Sequence, residues 1–324
     1  FVHKLLSELK KIAEYIVDQD GFKRRKNFES YKKQYYVLSR DVYFGDKSLK
    51  KKKLEYDILI SGSDQILNTT LTGKSVAYYL DFNTDAKKIS YASSFGREEI
   101  SDNETEYIKH KLINFSYLSM REQSGISIVD KLINKKANLV TDPVFLLEKK
   151  IWTERCNEKL TLPLNYIFVY SMEQSIILEQ ALECLKKEYE LPVIYVSGSS
   201  RIKGNVSSAG PREFLRYIRD AEIVLTNSFH GTAFSIIFEK QFVVVNRKEA
   251  INTRMRDLLS VLKIENRLIS ENYNFNNLIK DINYEEVNKY VNDRLEISKM
   301  YLDRVTCIKD QLEECNEEKG IVCN

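Results

Sequence analysis

The sequence predicts an α/β protein in which parallel strands alternate with helices. Short apolar runs are followed by turn residues and then by amphipathic stretches of helical length, and this order recurs along the chain. The chain has 324 residues, 43% of them hydrophobic, which is enough for two packed cores. The alternation breaks between residues 144 and 165, where Trp152 and Pro163 lie among few regular signals. We therefore predict two α/β domains.

These observations place a first domain at residues 1–150 and a second at residues 151–284, followed by a C-terminal helix and tail at residues 285–324. The helix is predicted by one apolar seam with steps of three and four residues. The seam consists of Val291, Leu295, Ser298, Leu302, Val305, Ile308 and Leu312. It fits a dimer contact or packing across the chain's own two domains, and we favour packing.

In the first domain, helices are predicted where apolar side chains recur with helical spacing, and strands where short apolar runs end in polar turns. The predicted helices are residues 4–17, 27–36, 99–114 and 124–135. The predicted strands are residues 57–61, 88–93, 117–120 and 138–141.

The second domain repeats the same pattern. Its predicted strands are residues 166–170, 193–197, 223–225 and 242–245. Its predicted helices are residues 175–188, 211–220, 232–239 and 253–262. Pro211 suits the first turn of its helix, because proline lacks the N–H group that would have no partner there.

The charge balance does not favour a nucleic-acid partner. The net charge of the chain is +3, too small to indicate an extended basic surface. Residues 1–53 are basic, however, with 15 Lys and Arg against 7 Asp and Glu, and they include the run Lys50-Lys51-Lys52-Lys53. Solvated helix faces are the favoured explanation, and a surface for anionic lipid head groups or an acidic polymer is the alternative.

The cysteines favour reduced thiols over a zinc site, because none of the five forms a CxxC pair. No apolar stretch approaches the ~18 residues that span a bilayer, and no signal peptide is visible. We therefore expect a cytoplasmic protein. The numbered chain begins at Phe1 rather than at methionine, so we expect a fragment or a trimmed chain.

The stretch from residue 221 to residue 234 carries the most information about function. It predicts a buried strand, a polar turn and a helix, with Gly231 allowing close approach of a ligand or of backbone. A helix that begins at a strand end presents N–H groups to an anion, phosphate above all. His230 lies at that point. It fits a ligand-binding or proton-donating role and, equally, a capped core histidine.

Polar and ionisable groups follow several predicted strands. They are Asp64, Ser93, Arg121, Asp142, Gly198, Ser199 and His230. Because the carboxyl ends of parallel strands share one rim, two such domains facing each other would line a cleft with these groups. Arg121 suits a carboxylate or phosphate ligand, or a salt bridge to Glu122 or another acid. Asp64 suits a general base or, slightly preferred, a helix N-cap.

Four basic residues follow the strand after His230. We expect most of them to be solvated, and one or more of them to complete an anion pocket. They are Arg247, Lys248, Arg254 and Arg256. The sequence contains no nucleophile elbow, no GxGxxG and no Walker loop, so it does not support a serine hydrolase or the common nucleotide-binding motifs.

Five blocks of the sequence resemble the polysaccharide pyruvyl transferases. They are residues 56–65, 89–96, 118–122, 142–147 with Trp152, and 226–234. Each block alone is weak, but five in the same order are specific. The resemblance covers residues 55 to 265.

The resemblance implies two Rossmann-like domains that face each other across a cleft in a GT-B-like arrangement. It also implies transfer of a pyruvyl group from phosphoenolpyruvate to two hydroxyls of a sugar in a precursor of a bacterial capsule or exopolysaccharide. The products are a pyruvate ketal and phosphate. We expect no metal and no cofactor, with phosphoenolpyruvate as the donor substrate.

By the same resemblance, Arg121 and His230 bind phosphoenolpyruvate, and a later basic residue contacts it, for which Arg254 fits best and Lys248 is the alternative. We predict that His230 is the general acid or assists phosphate departure, and that Asp64 is the base on the acceptor side. The remaining predicted substrate-binding residues are Ser63, Gln65, Ser93, Gly198, Ser199, Asn227, Ser228 and Gly231.

Two features depart from the family pattern. Relatives begin with a strand and a glycine-containing turn, and no such unit precedes the first predicted helix, so we expect the first domain to lack it. Ile66 and Leu67 stand where relatives often carry a bulky aromatic residue before asparagine, which alters the expected acceptor pocket.

Two other functions fit the sequence: a GT-B-type glycosyltransferase that uses a nucleotide sugar, and a non-catalytic scaffold in polysaccharide assembly. The basic N-terminal segment suits a lipid-linked oligosaccharide acceptor at the inner membrane face. The C-terminal helix suits a homodimer or a docking element.

Overall fold

The computed structural model describes residues 18–197, 206–247, 253–271, 273, 275 and 278–307. Within them, helices and parallel strands alternate, so the predicted α/β class is confirmed. The described residues divide into two compact units. Unit 1 contains the described parts of 18–40, 147–247 and 263–284, and unit 2 contains 41–146, 253–262 and 285–307.

The helices of the described residues are, in chain order, α1 (Gln19–Tyr35), α2 (Gly45–Lys51), α3 (Thr69–Thr72), α4 (Asp102–Leu112), α5 (Gln123–Ile133), α6 (Lys149–Glu154), α7 (Ile176–Tyr189), α8 (Pro211–Asp220), α9 (Phe229–Ile237), α10 (Thr253–Val261) and α11 (Tyr284–Thr306). The strands are β1 (Ile58–Ser61), β2 (Lys87–Ser90), β3 (Ser119–Met120), β4 (Asn138–Leu139), β5 (Ile167–Ser171), β6 (Val193–Ser197), β7 (Ile223–Thr226), β8 (Gln241–Val245) and β9 (Leu268–Ile269). In the described part of the chain, 3-10 helices span Pro143–Leu146 and Glu265–Arg267.

The units contain different segments from the predicted domains. Residues 18–40 join unit 1, where the Asn27 side chain donates to the Ser208 carbonyl over 3.0 Å. Residues 253–262 join unit 2. These segments join their units through contacts between residues far apart in the chain. A division of the sequence into consecutive domains does not take such contacts into account.

Unit 2 is built on parallel strand pairs in the order in which they occur along the chain. β1 pairs with β2 and β3 with β4, and a bridge between Ile89 and Tyr117 joins β2 to the segment before β3. One face packs against α4 and α5 through Ile108, Leu112 and Ile128. This order leaves the carboxyl ends of four neighbouring segments at one rim.

Helix α11 covers the other face of the unit 2 sheet. The Tyr301 hydroxyl donates to the Ser90 carbonyl over 2.8 Å, and Ser298 Oγ accepts the Thr141 N–H over 2.9 Å. Val305 is fully buried in the same cluster. The seam positions Ser298 and Val305 therefore pack within unit 2. Its last positions, Ile308 and Leu312, lie outside the described residues.

Unit 1 contains a five-stranded parallel sheet in the order β6-β5-β7-β8-β9. Helix α7 packs on one face through Leu178, Ala181 and Leu185. Aromatic side chains from β5 and the helices α8 and α9 meet on the other, as in the Phe214–Phe234 pair at 5.8 Å. The chain leaves β5 for one side of the sheet and β7 for the other, so a topological switch point lies between these strands.

Several element boundaries differ from the predicted ones. Helix α1 begins eight residues before the predicted start, and α9 begins three residues earlier than expected. Helix α6 lies in the stretch that we predicted to be irregular, because buried Trp152 packs edge-on against Phe234 with ring centroids 4.9 Å apart. The predicted helix 4–17 lies outside the described residues.

Candidate active site

The carboxyl ends of the unit 2 strands bring together four of the predicted strand-end residues. Asp64 forms a parallel bridge with Ser93, and Ser93 forms another with Met120, immediately before Arg121. Asp142 completes the group, since its carboxylate lies 2.9 Å from Arg121 Nη2. These residues therefore share one rim.

Arg121 is held in a buried ion pair. Its side chain is 2% exposed and that of Asp142 is 1% exposed. Ser63 Oγ donates to the same Asp142 oxygen over 3.2 Å and accepts a hydrogen bond from Arg121 Nη2. The carboxylate beside the Arg121 guanidinium is therefore that of Asp142, and no ion pair joins Arg121 to Glu122 in the described part of the chain.

A second guanidinium lies on the same rim. Arg254, on α10, donates from Nη1 to Asp64 Oδ1 over 2.7 Å, and Arg121 Nη1 lies 3.5 Å from that same oxygen. The Arg254 side chain is 10% exposed, whereas that of Asp64 is 55% exposed. Burial, together with the charge of Arg121, lowers the pKa of Arg254. Two arginines thus converge on one oxyanion.

Asp64 does not cap the helix that follows it, so the preferred of its two predicted roles is wrong. The N-cap of α3 is Asn68, whose side chain accepts the Thr70 N–H over 3.2 Å. Asp64 instead adopts a left-handed conformation with φ 75°. Its carbonyl accepts from Ile66 N (2.8 Å) and Ser94 N (3.0 Å), which anchors the main chain beneath the exposed carboxylate.

The turn before Asp64 requires glycine. Gly62 has φ 145°, and a Cβ at this position would lie 1.9 Å from the Tyr91 carbonyl oxygen. Only a residue without a side chain brings the β1 and β2 loops this close. The sequence placed this glycine in a turn but gave no sign of the approach to Tyr91.

Two predicted substrate-binding residues of unit 2 make contacts within the loops of the rim. The Gln65 side chain lies against Gly96, where a Cβ would come within 2.5 Å of its amide carbon. Ser93 is fully buried, and its hydroxyl donates to the Ser61 carbonyl over 3.3 Å. In this structure both side chains support the rim on which the arginines lie.

Glu122 is a site residue that sequence reasoning considered only as a partner for Arg121. It is fully buried, and its Oε1 accepts from Ser94 Oγ (2.8 Å), Phe95 N (3.1 Å) and Gly96 N (3.2 Å). Burial raises the pKa of the Glu122 carboxyl, although these hydrogen bonds oppose the shift. Its position immediately after Arg121 was the one sequence signal available.

The turn after β7 in unit 1 satisfies its own polar groups. Thr226 Oγ1 donates to the Tyr170 carbonyl (2.7 Å) and accepts the Ser228 N–H (3.1 Å). Asn227 bridges to the loop after β5, accepting the Met172 N–H over 2.7 Å. Asn227, predicted to contact substrate, therefore joins the loops after β7 and β5. Ser228, predicted to do the same, bonds within its own turn and to the start of α9.

Gly231 allows close approach of backbone and side chain within the protein. A Cβ there would lie 2.3 Å from Thr226 Oγ1. The Gly231 N–H donates to Ser228 Oγ over 3.4 Å, which caps α9. Of the two approaches predicted for this glycine, the structure shows the internal one.

His230 lies in the first turn of α9, beside the switch point of unit 1. It is half-buried, unlike its neighbours Phe229 and Gly231, which are buried. Its ring meets that of Phe229 edge-on at 5.5 Å. His230 is thus less buried than its neighbours, and its ligand-binding role stays a prediction.

The other predicted basic residues differ in their surroundings. Arg247 pairs with Glu173 across the ends of β8 and β5, with 3.1 Å between Nη2 and Oε2. Arg256 is exposed and pairs with Glu98. Gly198, Ser199 and Lys248 lie outside the described residues.

The lysine run at residues 50–53 is exposed. Two of its lysines form ion pairs, Lys52 with Asp41 and Lys53 with Asp85.

Among the described residues, no group of three or more His, Cys, Asp and Glu side chains could hold a metal ion. In the same part of the chain, no helix has the length and apolar character needed to cross a membrane.

Comparisons with known proteins complement this geometry. No curated protein matches the sequence. Among solved structures, the crystal structure of UGT89C1 from Arabidopsis thaliana has a TM-score of 0.37 and 13% identity, over 89% of this chain and 73% of that one. So low a score supports no argument about arrangement. The polysaccharide pyruvyl transferase family, however, matches residues 3–249, more than half of the chain. The protein therefore belongs to the polysaccharide pyruvyl transferase family and is a transferase.

Proposed function

We propose that this protein transfers a pyruvyl group from phosphoenolpyruvate to two hydroxyls of a sugar in a polysaccharide precursor. In this reaction the donor's methylene carbon gains a proton, two hydroxyl oxygens bond to its central carbon, and phosphate departs. The two hydroxyl protons balance the methyl group and the released hydrogen phosphate. Membership of the family supports this reaction class.

One observation supports the donor assignment most directly. Arg121 and Arg254 place their Nη1 atoms 3.5 and 2.7 Å from a single carboxylate oxygen. A position that already accommodates an oxyanion between two guanidinium groups suits the carboxylate or phosphate of phosphoenolpyruvate. Buried arginines also strengthen such contacts, because water competes less there.

The sequence resemblance assigns phosphoenolpyruvate to Arg121 and to His230. We propose that His230 protonates the methylene carbon or assists phosphate departure, and that Asp64 accepts a proton from the acceptor hydroxyl. We further propose the two-domain, GT-B-like arrangement and a sugar or lipid-linked acceptor that this family resemblance implies.

Donor binding is the first test. In a thermal-shift titration, phosphoenolpyruvate at about 100 times its Kd stabilises the wild type by about 2.7 kcal/mol, and the upward shift is smaller in His230→Ala. The matched control is His110→Ala, which removes an exposed histidine of α4 and keeps the full shift.

UDP, CMP and GDP sugars run in parallel and should give no shift. A shift with a nucleotide sugar, and none with phosphoenolpyruvate, would contradict the proposal and favour a glycosyltransferase. Retention of cellular function in both His230→Ala and Arg121→Ala would favour the scaffold.

A further inference from the structure

The two carboxylates on the unit 2 rim are held in different ways. Asp142 is buried and accepts from Arg121 Nη2 (2.9 Å), Ser63 Oγ (3.2 Å) and Val144 N (3.0 Å). The Asp64 carboxylate is 55% exposed, although one of its oxygens lies between the two guanidinium groups. Asp142 is therefore a fixed partner of Arg121, and Asp64 has open solvent beside it.

Asp64 can turn its side chain without moving its backbone. The Asp64 carbonyl accepts the N–H groups of Ile66 (2.8 Å) and Ser94 (3.0 Å), so the main chain is anchored on both sides. Rotation of the side chain would release the carboxylate to water, where solvation replaces the lost contacts. The incoming anion takes the place of Asp64 beside the buried arginines, so their charges stay compensated while the half-exposed carboxylate regains water.

Asp64 offsets positive charge at the position that an anion would take. Arg121 Nη1 and Arg254 Nη1 flank its Oδ1 atom at 3.5 and 2.7 Å. A carboxylate at that position repels a multiply charged anion and fills the place between the arginines. Departure of Asp64 empties the position and removes one negative charge from it.

We propose that Asp64 is an internal counter-ion that occupies the anion position of the Arg121–Arg254 pair until the donor displaces it into solvent. The inference rests on the proposed function only in taking the displacing anion to be phosphoenolpyruvate. It makes Asp64 a positioning residue for donor affinity. It also links donor binding to the release of Asp64 from its arginine partners, which frees the carboxylate to accept a proton on the acceptor side.

The test is a calorimetric titration of wild type and Asp64→Asn with inorganic phosphate and, separately, with phosphoenolpyruvate. Asparagine keeps the size of the side chain and tolerates the left-handed backbone at this position. We expect both anions to bind about tenfold more tightly to Asp64→Asn, as for a binding-competent state that is populated about one part in ten in the wild type.

The matched control is Glu98→Gln, which removes the negative charge of an exposed ion pair. The partner of Glu98 is Arg256, which lies on the same helix as Arg254. Glu98→Gln should leave both affinities within about twofold of wild type. Unchanged or weaker binding in Asp64→Asn, equal tightening in Glu98→Gln, or no anion binding to any variant would each overturn the proposal.

A crystal structure of the wild type with phosphate provides a second measurement. We expect phosphate on the two arginines and the Asp64 oxygen displaced from its present 2.7 Å contact with Arg254 Nη1. Phosphate bound with that contact intact would overturn the displacement. Failure of the proposed function would appear differently, as anion binding that follows this pattern without any turnover of phosphoenolpyruvate.

Discussion

The strand ends of the two units present polar groups in opposite ways. In unit 2, Arg121 and Asp142 are ionised side chains buried at 2% and 1% exposure. In unit 1, the turn after β7 is stabilised by neutral groups, such as the Asn227 amide and the Ser228 hydroxyl. The unit 2 residues expected to bind an anion therefore also stabilise their fold, whereas His230 lies on a turn that is stabilised by other residues.

This difference follows from the cost of burying charge. A buried ion needs a partner and hydrogen bonds, because removal from water costs several kcal/mol per ion. Arg121 and Asp142 meet that requirement through each other and through Ser63. A turn of amides and hydroxyls has no such requirement, and each net hydrogen bond contributes about 1 kcal/mol.

The comparison is tested most strongly by Arg121→Met. Methionine fills a similar volume without charge, so Asp142 remains buried without the Arg121 guanidinium. We expect the free energy of unfolding to fall by about 3–5 kcal/mol, measured by urea denaturation. Adding Asp142→Asn to this variant should recover part of the loss, because it removes the stranded charge.

The contrasting variant in unit 1 is His230→Ala, which should cost less than about 1 kcal/mol, as expected for a half-buried side chain outside the core. Equal losses in the two variants would remove the distinction between the units. A loss in Arg121→Met that Asp142→Asn does not reduce would mean that side-chain packing, rather than charge, accounts for the stability.

The elements of both units could be predicted from the sequence because their signals are local. The strands β5 to β8 match predicted apolar runs within one residue at each end. Helix α6 could not be predicted, since it depends on Trp152 meeting Phe234 some eighty residues away. Local patterns do not contain such contacts.

Part of the site could also be predicted from the sequence. Arg121 and Asp142 both follow predicted strands, and the carboxyl ends of parallel strands share a rim, so the two side chains are expected to lie close together. The convergence of Arg254 on Asp64 could not be predicted, since it joins residues 190 positions apart. Nor could the burial of Glu122, because an acid beside an arginine usually pairs with it in solvent.

A smaller effect is expected for Gly231→Ala in unit 1. The new Cβ would lie 2.3 Å from Thr226 Oγ1 and 3.0 Å from Thr226 Cβ, so β7 and α9 must separate. We expect a loss of about 1–3 kcal/mol in the free energy of unfolding. In a double-mutant cycle with Thr226→Ala, the two losses should be less than additive, because the severe contact with Oγ1 is removed and only the 3.0 Å contact with Cβ remains. Strict additivity would locate the strain elsewhere.

The smallest expected effect is the pH dependence of Glu122→Gln in unit 2. The folded-state pKa of Glu122 is raised above its ordinary value of 4.5 by burial, so the native state favours the neutral carboxyl. That stability is fully present below pH 4.5 and is lost as pH rises through the folded-state pKa. Glutamine keeps the accepting oxygen without the charge. Its melting temperature should therefore rise relative to wild type as the pH increases above 4.5, as followed by circular dichroism.

Unit 1 supplies the matched control for this pH series. Ser228→Ala removes the α9 cap, and its loss of about 1 kcal/mol should not vary with pH, because no proton binds to the serine hydroxyl. Parallel melting curves for wild type and Glu122→Gln would mean that the native protein tolerates the Glu122 carboxylate as well as the carboxylic acid. Arg121 and Arg254 would then lie beside three carboxylates, those of Asp64, Asp142 and Glu122. The site would carry more negative charge and would bind an anion less readily.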